Sequence, residues 1–253
     1  IFTTLYPDHL NYYGSTSLTT GNALDAYLAD KANIFLYQKE EDILILGKQC
    51  APTIIDRYGE RIESKMLVID ETKLPETWVL KVPGIHNRYN AALALATARA
   101  VGVEDEVSRK ALENFSGVPG RLELVREVKG VKVYNDTTST TPEATLAALA
   151  ALDPTRTVLI MGGTDKRLDM NALLLKLAEV KRVILLSGTG TSRVLEFLPD
   201  ASVFDDLNKA VHEAFVSAEL GDAILFSPAF TSFGMFKNEF DRGDQFNAVI
   251  KSR

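Results

Sequence analysis

The sequence predicts an α/β protein whose second half is a doubly wound, mostly parallel sheet. Two observations predict it. From residue 131 onward, short apolar runs of strand length alternate with amphipathic stretches of helix length. These runs ("TVLIMGG", "RVILLSG", "AILFSPA") lack the in/out polar alternation of a half-exposed strand, as expected of strands covered on both faces. A third observation sets the organisation. "SGVPGRLELV" places two glycines and a proline between a helix and a strand, and marks a boundary between residues 1–117 and 118–253.

The elements follow in order. The opening residues read as a buried strand ending in the polar turn "PDH". Leu24, Tyr27, Leu28, Ala32 and Phe35 recur at helical spacing, and "DILILG" is a strand. "APTIIDRYG" reads as a short helix, and "KMLVID" and "WVLKV" as strands. "PGIHNRYNAALALATARAVGV" is a turn and a well-buried Ala/Leu-rich helix. "EDEVSRKALENF" is a helix with acidic residues in its first turn, where the helix dipole favours them. Past the boundary, strands "VKVYND", "TVLIMGG", "RVILLSG" and "AILFSPA" interleave with helices "TPEATLAALAAL", "MNALLLKLAEV", "TSRVLEFL" and "LNKAVHEAFVSA". "MFKNEFDRGDQFNAVIKS" closes the chain as a helix.

Composition narrows the function classes. The 253 residues are 46% hydrophobic and 25% charged, as in ordinary globular proteins. A net charge of -6 argues against a nucleic-acid binder and a peripheral membrane protein. One cysteine, Cys50, rules out a disulfide framework and a cysteine-based zinc site, and cytoplasmic residence is expected. No apolar run reaches membrane-spanning length, and the start does not read as a signal peptide.

In parallel sheets, ligands sit beyond the carboxyl ends of the strands. Small and polar residues collect there: Asn135 and Asp136; Gly162 to Lys166; Gly188 to Gly190; Ser227 to Ala229. This edge is therefore the expected ligand site. "SGTG" suggests a dinucleotide turn but lacks the full G-x-G-x-x-G, and is a weak indication of NAD.

Seven stretches carry a more specific signal by their order and spacing: "PDHLNYYGS", "YLADKANIF", "PGIHNRYNAALA", "PGRLELV", "YNDTTSTTPEA", "MGGTDK" and "SPAFTSFGMFKNEFDRG". Together they resemble the Mur ligase family over essentially the whole chain, above all its D-glutamate-adding member. The resemblance implies the carboxyl-terminal part of a P-loop-type ATPase central domain at 1–117 and a Rossmann-like domain at 118–253. The chain contains no G-x-x-x-x-G-K-[ST]. The family's P-loop and its amino-terminal UDP-sugar-binding domain are thus expected to precede Ile1 in a longer protein. The fragment alone is expected to fold, as a monomer, without turning over.

The same resemblance assigns roles, each beside a plainer reading. His9 resembles a ligand of Mg²⁺, with Mn²⁺ an alternative, and on its own reads as part of a capped turn. Lys31 resembles a lysine that carries a carbamate beside the metal. A desolvated lysine with a neutral amine can add CO₂, whereas an ordinary lysine there would lie on the surface over apolar neighbours. Asn87 and Asn90 match the adenine site of ATP, and also suit a helix start. His86 beside them suits simple packing, and His212 a surface position. Arg121, at the hinge, would reach nucleotide phosphate on domain closure. Asp136 would accept from ribose hydroxyls, or cap a turn. Lys166, Thr140, Ser232, Phe233 and Phe240 would bind D-glutamate, with Phe236 reading more as core. Thr138 stands where many members carry lysine, which leaves Lys166 as the clearest cation for the amino acid. The implied activity is ATP-dependent amide-bond formation between UDP-N-acetylmuramoyl-L-alanine and D-glutamate through an acyl phosphate, in cell-wall precursor synthesis. The alternatives are a related ligase for another amino acid, including a folylpolyglutamate type, and a nucleotide-binding protein without ligase activity.

Overall fold

The computed structural model describes residues 1–8, 10–13 and 20–253. These divide into two compact units: residues 1–81 with 85–115, and residues 82–84 with 116–253.

In the first unit, strands β1 (Ile43–Gly47) and β2 (Lys65–Ile69) pair in parallel. Helices α1 (Thr20–Ala32), α2 (Ala51–Tyr58), α3 (Ile85–Ala100) and α4 (Asp105–Asn114) accompany them. Alternation along β1 splits its side chains between two cores. Leu44 and Leu46 join Phe2, Leu28, Phe35 and Ile54, while Ile45 joins Ile69, Leu74, Trp78, Leu93 and Leu95.

Three expectations change here. The opening segment contributes only one parallel bridge, Phe2 to Leu46, because just two backbone hydrogen bonds tie it to β1 (Phe2 N to Ile45 O and Gly47 N to Phe2 O, each 2.8 Å). "WVLKV" is not a strand. Trp78 is buried as an anchor, but Val79 is exposed and its N–H donates to the Glu113 side chain rather than to a neighbouring strand. Helix α1 ends at Ala32, and Phe35 reaches the core from the turns that follow.

The second unit holds a six-stranded sheet in the order β3-β4-β8-β5-β6-β7. Its strands are β3 (Glu123–Val128), β4 (Val131–Asn135), β5 (Thr157–Gly162), β6 (Arg182–Leu186), β7 (Ser202–Phe204) and β8 (Ala223–Phe226). Only β3 runs antiparallel, paired with β4 across a tight turn at Lys129-Gly130. The other pairs are parallel. The short edge strand β7 escaped the sequence reading.

Every residue of β5 is buried, as its unbroken apolar run requires. Leu159 and Met161 face a core built with α5 (Pro142–Ala151), α6 (Asn171–Leu177) and α7 (Thr191–Leu195). Val158 and Ile160 face the opposite core, with α8 (Leu207–Ser217) and α9 (Glu239–Lys251). There Phe226 stacks on Phe246 with ring centroids 4.5 Å apart. Polar side chains start the last two helices: Asp206 accepts from the Lys209 N–H and Asn238 from the Asp241 N–H, each at 2.9 Å. The α9 cap explains why the closing helix begins at Glu239 and not at Met235.

The sheet is thus α/β and doubly wound. The chain winds outward through β5, β6 and β7, then returns through α8 so that β8 inserts between β4 and β5. That reversal opens the carboxyl ends of β4, β5 and β8 to a common edge.

Candidate functional site

Three loops meet at this edge: 135–140 after β4, 162–167 after β5 and 227–233 after β8. Backbone hydrogen bonds knit them together. Asp136 N donates to Phe226 O (2.8 Å), Gly162 N to Pro228 O (3.0 Å) and Ala229 N to Ser139 O (2.9 Å). Thr164 and Thr231 exchange backbone bonds in a single bridge. Gly162 and Gly163 take φ of 129° and 142°. A side chain on Gly163 would put its Cβ 2.2 Å from Thr231 O, so only glycine permits this approach. Leu122, Arg167 and Ala229 are non-glycine residues held at positive φ in or beside these loops. Such strain persists only where the surroundings impose it, and it clusters at functional sites.

Asp136 lies at the centre, 5% exposed. Its Oδ1 accepts from the Leu122 N–H at 2.9 Å, and its Oδ2 from the hydroxyls of Ser139 (2.6 Å) and Ser227 (2.7 Å). Burial pushes the carboxyl above its ordinary range, opposed by those three hydrogen bonds and by the charge of Arg121. The expectation of a carboxylate presented to ribose therefore changes. The group is turned inward and holds the strained residue next to Arg121.

Arg121 itself is exposed. The preceding glycine is fastened twice by Thr138, whose N–H and hydroxyl both donate to Gly120 O, at 3.1 and 2.9 Å. The Thr138 hydroxyl thus fastens the turn at Gly120 to the 135–140 loop. Lys166 Nζ donates to Thr140 Oγ1 at 3.1 Å, which unites two predicted residues from different loops. Ser232 is buried, and with Phe233, Gly162 and Gly163 it lines a small cavity. Phe233 and Phe240 are 62% and 65% exposed. Phe236 packs against the core, as its sequence reading favoured.

Lys31, Asn87 and Asn90 belong to the first unit. His9 lies outside the described residues. Lys31 ends α1 exposed, with Nζ 4.7 Å from the centre of the Tyr27 ring, so the desolvation expected of it is not seen there. Asn87 is half-buried and Asn90 exposed, both early in α3. Burial lowers the His86 imidazole beside them. His212 is exposed on α8. Among the described residues no group of three or more His, Cys, Asp and Glu side chains could hold a metal ion. No helix among them is long and apolar enough to cross a membrane.

The "SGTG" turn has a packing explanation. A Cβ on Gly188 would lie 2.2 Å from Gly163 O, and Gly190 N donates to that same oxygen at 2.9 Å. Its glycines let two loops touch backbone to backbone.

Sequence reasoning missed Arg242. This residue of α9 is 0% exposed and donates to Thr137 O (2.7 Å), Thr137 Oγ1 (3.1 Å) and Phe230 O (3.1 Å). Burial lowers its guanidinium to about 10, opposed by the charge of Glu239. A possible signal was the neighbouring Gly243. A Cβ there would lie 2.6 Å from Thr137 Cγ2, so α9 comes close to the 135–140 loop. Ser139 and Ser227 were missed as partners of Asp136. Nothing in a single sequence marks a serine as aimed at a carboxylate.

This doubly wound domain, with its knitted carboxyl edge, has known counterparts. Residues 120–230 match the family described as "Mur ligase, glutamate ligase domain". Over those residues the chain carries a Mur ligase carboxyl-terminal domain. Over 99% of its length it is 33% identical to the UDP-N-acetylmuramoylalanine--D-glutamate ligase of Roseiflexus sp., covering 60% of that protein. The chain thus spans about 60% of the length of such curated relatives. Among solved structures, MurF from Acinetobacter baumannii superposes with a TM-score of 0.72 at 19% identity, over 99% of this chain and 58% of that one. E. coli FolC, crystallised with DHPP and ADP, gives 0.69 at 22%, over 99% and 61%. At such identities these two likenesses speak for the fold.

Proposed function

We propose that this chain is the carboxyl-terminal part of an ATP-dependent ligase that joins D-glutamate to UDP-N-acetylmuramoyl-L-alanine. The observation that carries the reading is the Lys166–Thr140 pair at the carboxyl edge, beside Ser232 and Phe233, in a chain whose relatives bear that enzyme's name. A lysine and a hydroxyl side by side suit a carboxylate of the amino acid. Residues 1–117 are then the end of the ATPase domain and 118–253 the amino-acid-binding domain.

In this reading the carboxylate of UDP-N-acetylmuramoyl-L-alanine attacks the γ-phosphorus of ATP, forming an acyl phosphate and releasing ADP. The amine of D-glutamate then attacks the acyl carbon and loses a proton, and phosphate leaves as the amide forms. Arg121 meets the nucleotide phosphates, where a guanidinium suits spreading negative charge. Asn87 and Asn90 serve the adenine. Asp136 fixes the backbone from which Arg121 projects, and Lys166, Thr140, Ser232, Phe233 and Phe240 hold the D-glutamate whose amine must reach the acyl carbon. Mg²⁺, or Mn²⁺, would screen the phosphates, with His9 and a carbamylated Lys31 as its ligands. An amine at Lys31 offers no carboxylate-like oxygen to such an ion, so this ligand set requires the carbamate. Thr138 supplies no charge, its hydroxyl being engaged by Gly120 O.

Phosphate release by the full-length protein tests the reading, with UDP-N-acetylmuramoyl-L-alanine, ATP and Mg²⁺, and with D-glutamate added or withheld. Release that requires D-glutamate is expected. Loss in Lys31→Ala, recovered by a short added carboxylic acid, would support the carbamate. Release driven by another amino acid, or by a folate acceptor, would keep the ligase and change its substrate. The absence of release with any amino acid would refute the ligase.

A further inference from the structure

Arg242 is the largest fully buried side chain among the described residues. Its three hydrogen-bond acceptors, Thr137 O, Thr137 Oγ1 and Phe230 O, are all neutral. None of the ion pairs among the described residues includes it. Glu239, one turn earlier on α9, turns its backbone oxygen toward the same point and accepts from the Thr137 hydroxyl at 2.9 Å. Asp136, next to Thr137, has both oxygens taken by Leu122, Ser139 and Ser227. A buried cation held only by neutral oxygens is costly, and a methionine of similar bulk would fill the space without that penalty.

What the guanidinium joins gives it a use. Thr137 begins the arm that carries Thr138 and Thr140, the latter bonded to Lys166. Phe230 begins the arm that carries Ser232 and Phe233. Arg242 also lines the cavity between Gly162 and Ser232, so its charge faces the ground from which both arms rise. Resting on the ligase reading, we infer that Arg242 is a positioning residue for the amino-acid substrate. It locks the 137–140 arm to the 230–233 arm and adds a fixed positive field that favours a dicarboxylic amino acid. It does not touch that substrate itself.

The test is steady-state kinetics on full-length protein carrying Arg242→Met, Arg242→Lys, Thr137→Val or, as a control on the same helix, Phe246→Leu. KM is measured for D-glutamate and ATP separately, with D-glutamine as the uncharged competitor substrate. Losing a charge-assisted clamp corresponds to a change of about 10- to 100-fold. Arg242→Met is expected to raise the D-glutamate KM by that factor, leave the ATP KM within about 3-fold, and narrow the preference for D-glutamate over D-glutamine. Arg242→Lys should recover most of the preference, and Thr137→Val should shift the D-glutamate KM in the same direction by less. A merely structural role predicts that Arg242→Met and Phe246→Leu raise both KM values alike, and that result would overturn the inference. Should Arg242→Met fail to fold, Arg242→Lys and Thr137→Val decide, and a rise in the D-glutamate and ATP KM values alike in both would overturn the inference too. Wild-type protein that ignores D-glutamate would instead refute the ligase reading, and this inference with it.

Discussion

Replacing Asp136 by alanine removes one acceptor group and strands its donors unequally. The Leu122 N–H lies in a buried residue and has no other acceptor of note. The Ser139 hydroxyl loses its 2.6 Å bond. Ser227 is spared, because its single hydroxyl proton can turn instead to Thr145 Oγ1, 2.9 Å away. Two stranded donors at roughly 1–3 kcal/mol each, less the relief of removing a buried carboxylate, give a loss of about 3 kcal/mol. Asp136→Asn is the discriminating partner. Its oxygen can face the Leu122 N–H and its amide can donate to the two hydroxyls, which rotate to accept. The expected cost is within about 1 kcal/mol. The pH dependence separates them further. The folded carboxyl sits above its ordinary value of 3.8, so it binds its proton more tightly folded than unfolded. Its contribution is complete below that ordinary value and is lost as pH rises through the folded value. Urea unfolding followed by circular dichroism, at a series of pH values, reads both effects. The difference between wild type and Asp136→Asn should change with pH in that sense. An Asn variant as unstable as the Ala variant, or a difference flat with pH, would refute the reasoning.

Other outcomes follow from the same contacts. Gly188→Ala forces its Cβ to 2.2 Å from Gly163 O and should cost about 3 kcal/mol, read as a lowered urea midpoint. Lys181→Met leaves Asp222, 3% exposed, with Arg156 as its remaining cation, and should lower the urea midpoint in the same titration. Burial acts to raise the Asp222 carboxyl, but Lys181, the Glu219 amide and Arg156 outweigh it and hold it low. That stabilisation is present above the ordinary Asp value of 3.8 and fades as pH falls through the folded one, so Lys181→Met should flatten the acid limb of stability. Thr138→Val should cost about 1 kcal/mol in thermal or urea unfolding, since the Thr138 amide keeps its bond to Gly120 O. Phe233→Ala and Phe240→Ala remove exposed rings and should change stability by under about 0.5 kcal/mol, while raising the KM for the amino acid in full-length protein.

The regular part of the fold was legible because its strands are apolar throughout and its helices amphipathic. β5 could be read from "TVLIMG" alone, and the boundary from the Gly/Pro cluster before Arg121. What escaped was decided by partners far along the chain. "WVLKV" has strand composition, yet Val79 finds a side-chain acceptor and no neighbouring strand. β7, three residues at the sheet edge, carries too little apolar surface to stand out. At the site, the polar strand ends were visible because their residue types are unusual beside buried strands. Which way each group faces was not. Asp136 could be named from sequence, but its inward turn depends on Leu122, Ser139 and Ser227, from 3 to 91 positions away. Arg242 hid inside an otherwise ordinary helix, where its arginine would normally be assigned to solvent.

The two inward charges, Asp136 and Arg242, explain together why the edge can be polar and still fixed. Each reaches a loop through a neighbour of a predicted contact residue: Leu122 beside Arg121, and Thr137 beside Thr138. Neither is part of a direct ion pair among the described residues, so each depends on hydroxyls and backbone groups whose positions the loops themselves determine. Moving one loop therefore strands a buried charge. This makes the arrangement of the three loops closer to all-or-none than a set of exposed contacts would be. Such coupling suits a site whose substrate contacts come from separate loops. It also predicts that paired substitutions at Asp136 and Arg242 will be non-additive, since they fasten adjacent residues of one loop, Asp136 through its own carboxyl and Thr137 through its carbonyl and hydroxyl. A double-mutant cycle on unfolding free energy, using Asp136→Asn and Arg242→Lys, should return a coupling of about 1 kcal/mol or more. Strict additivity would mean that the two charges hold their loops independently.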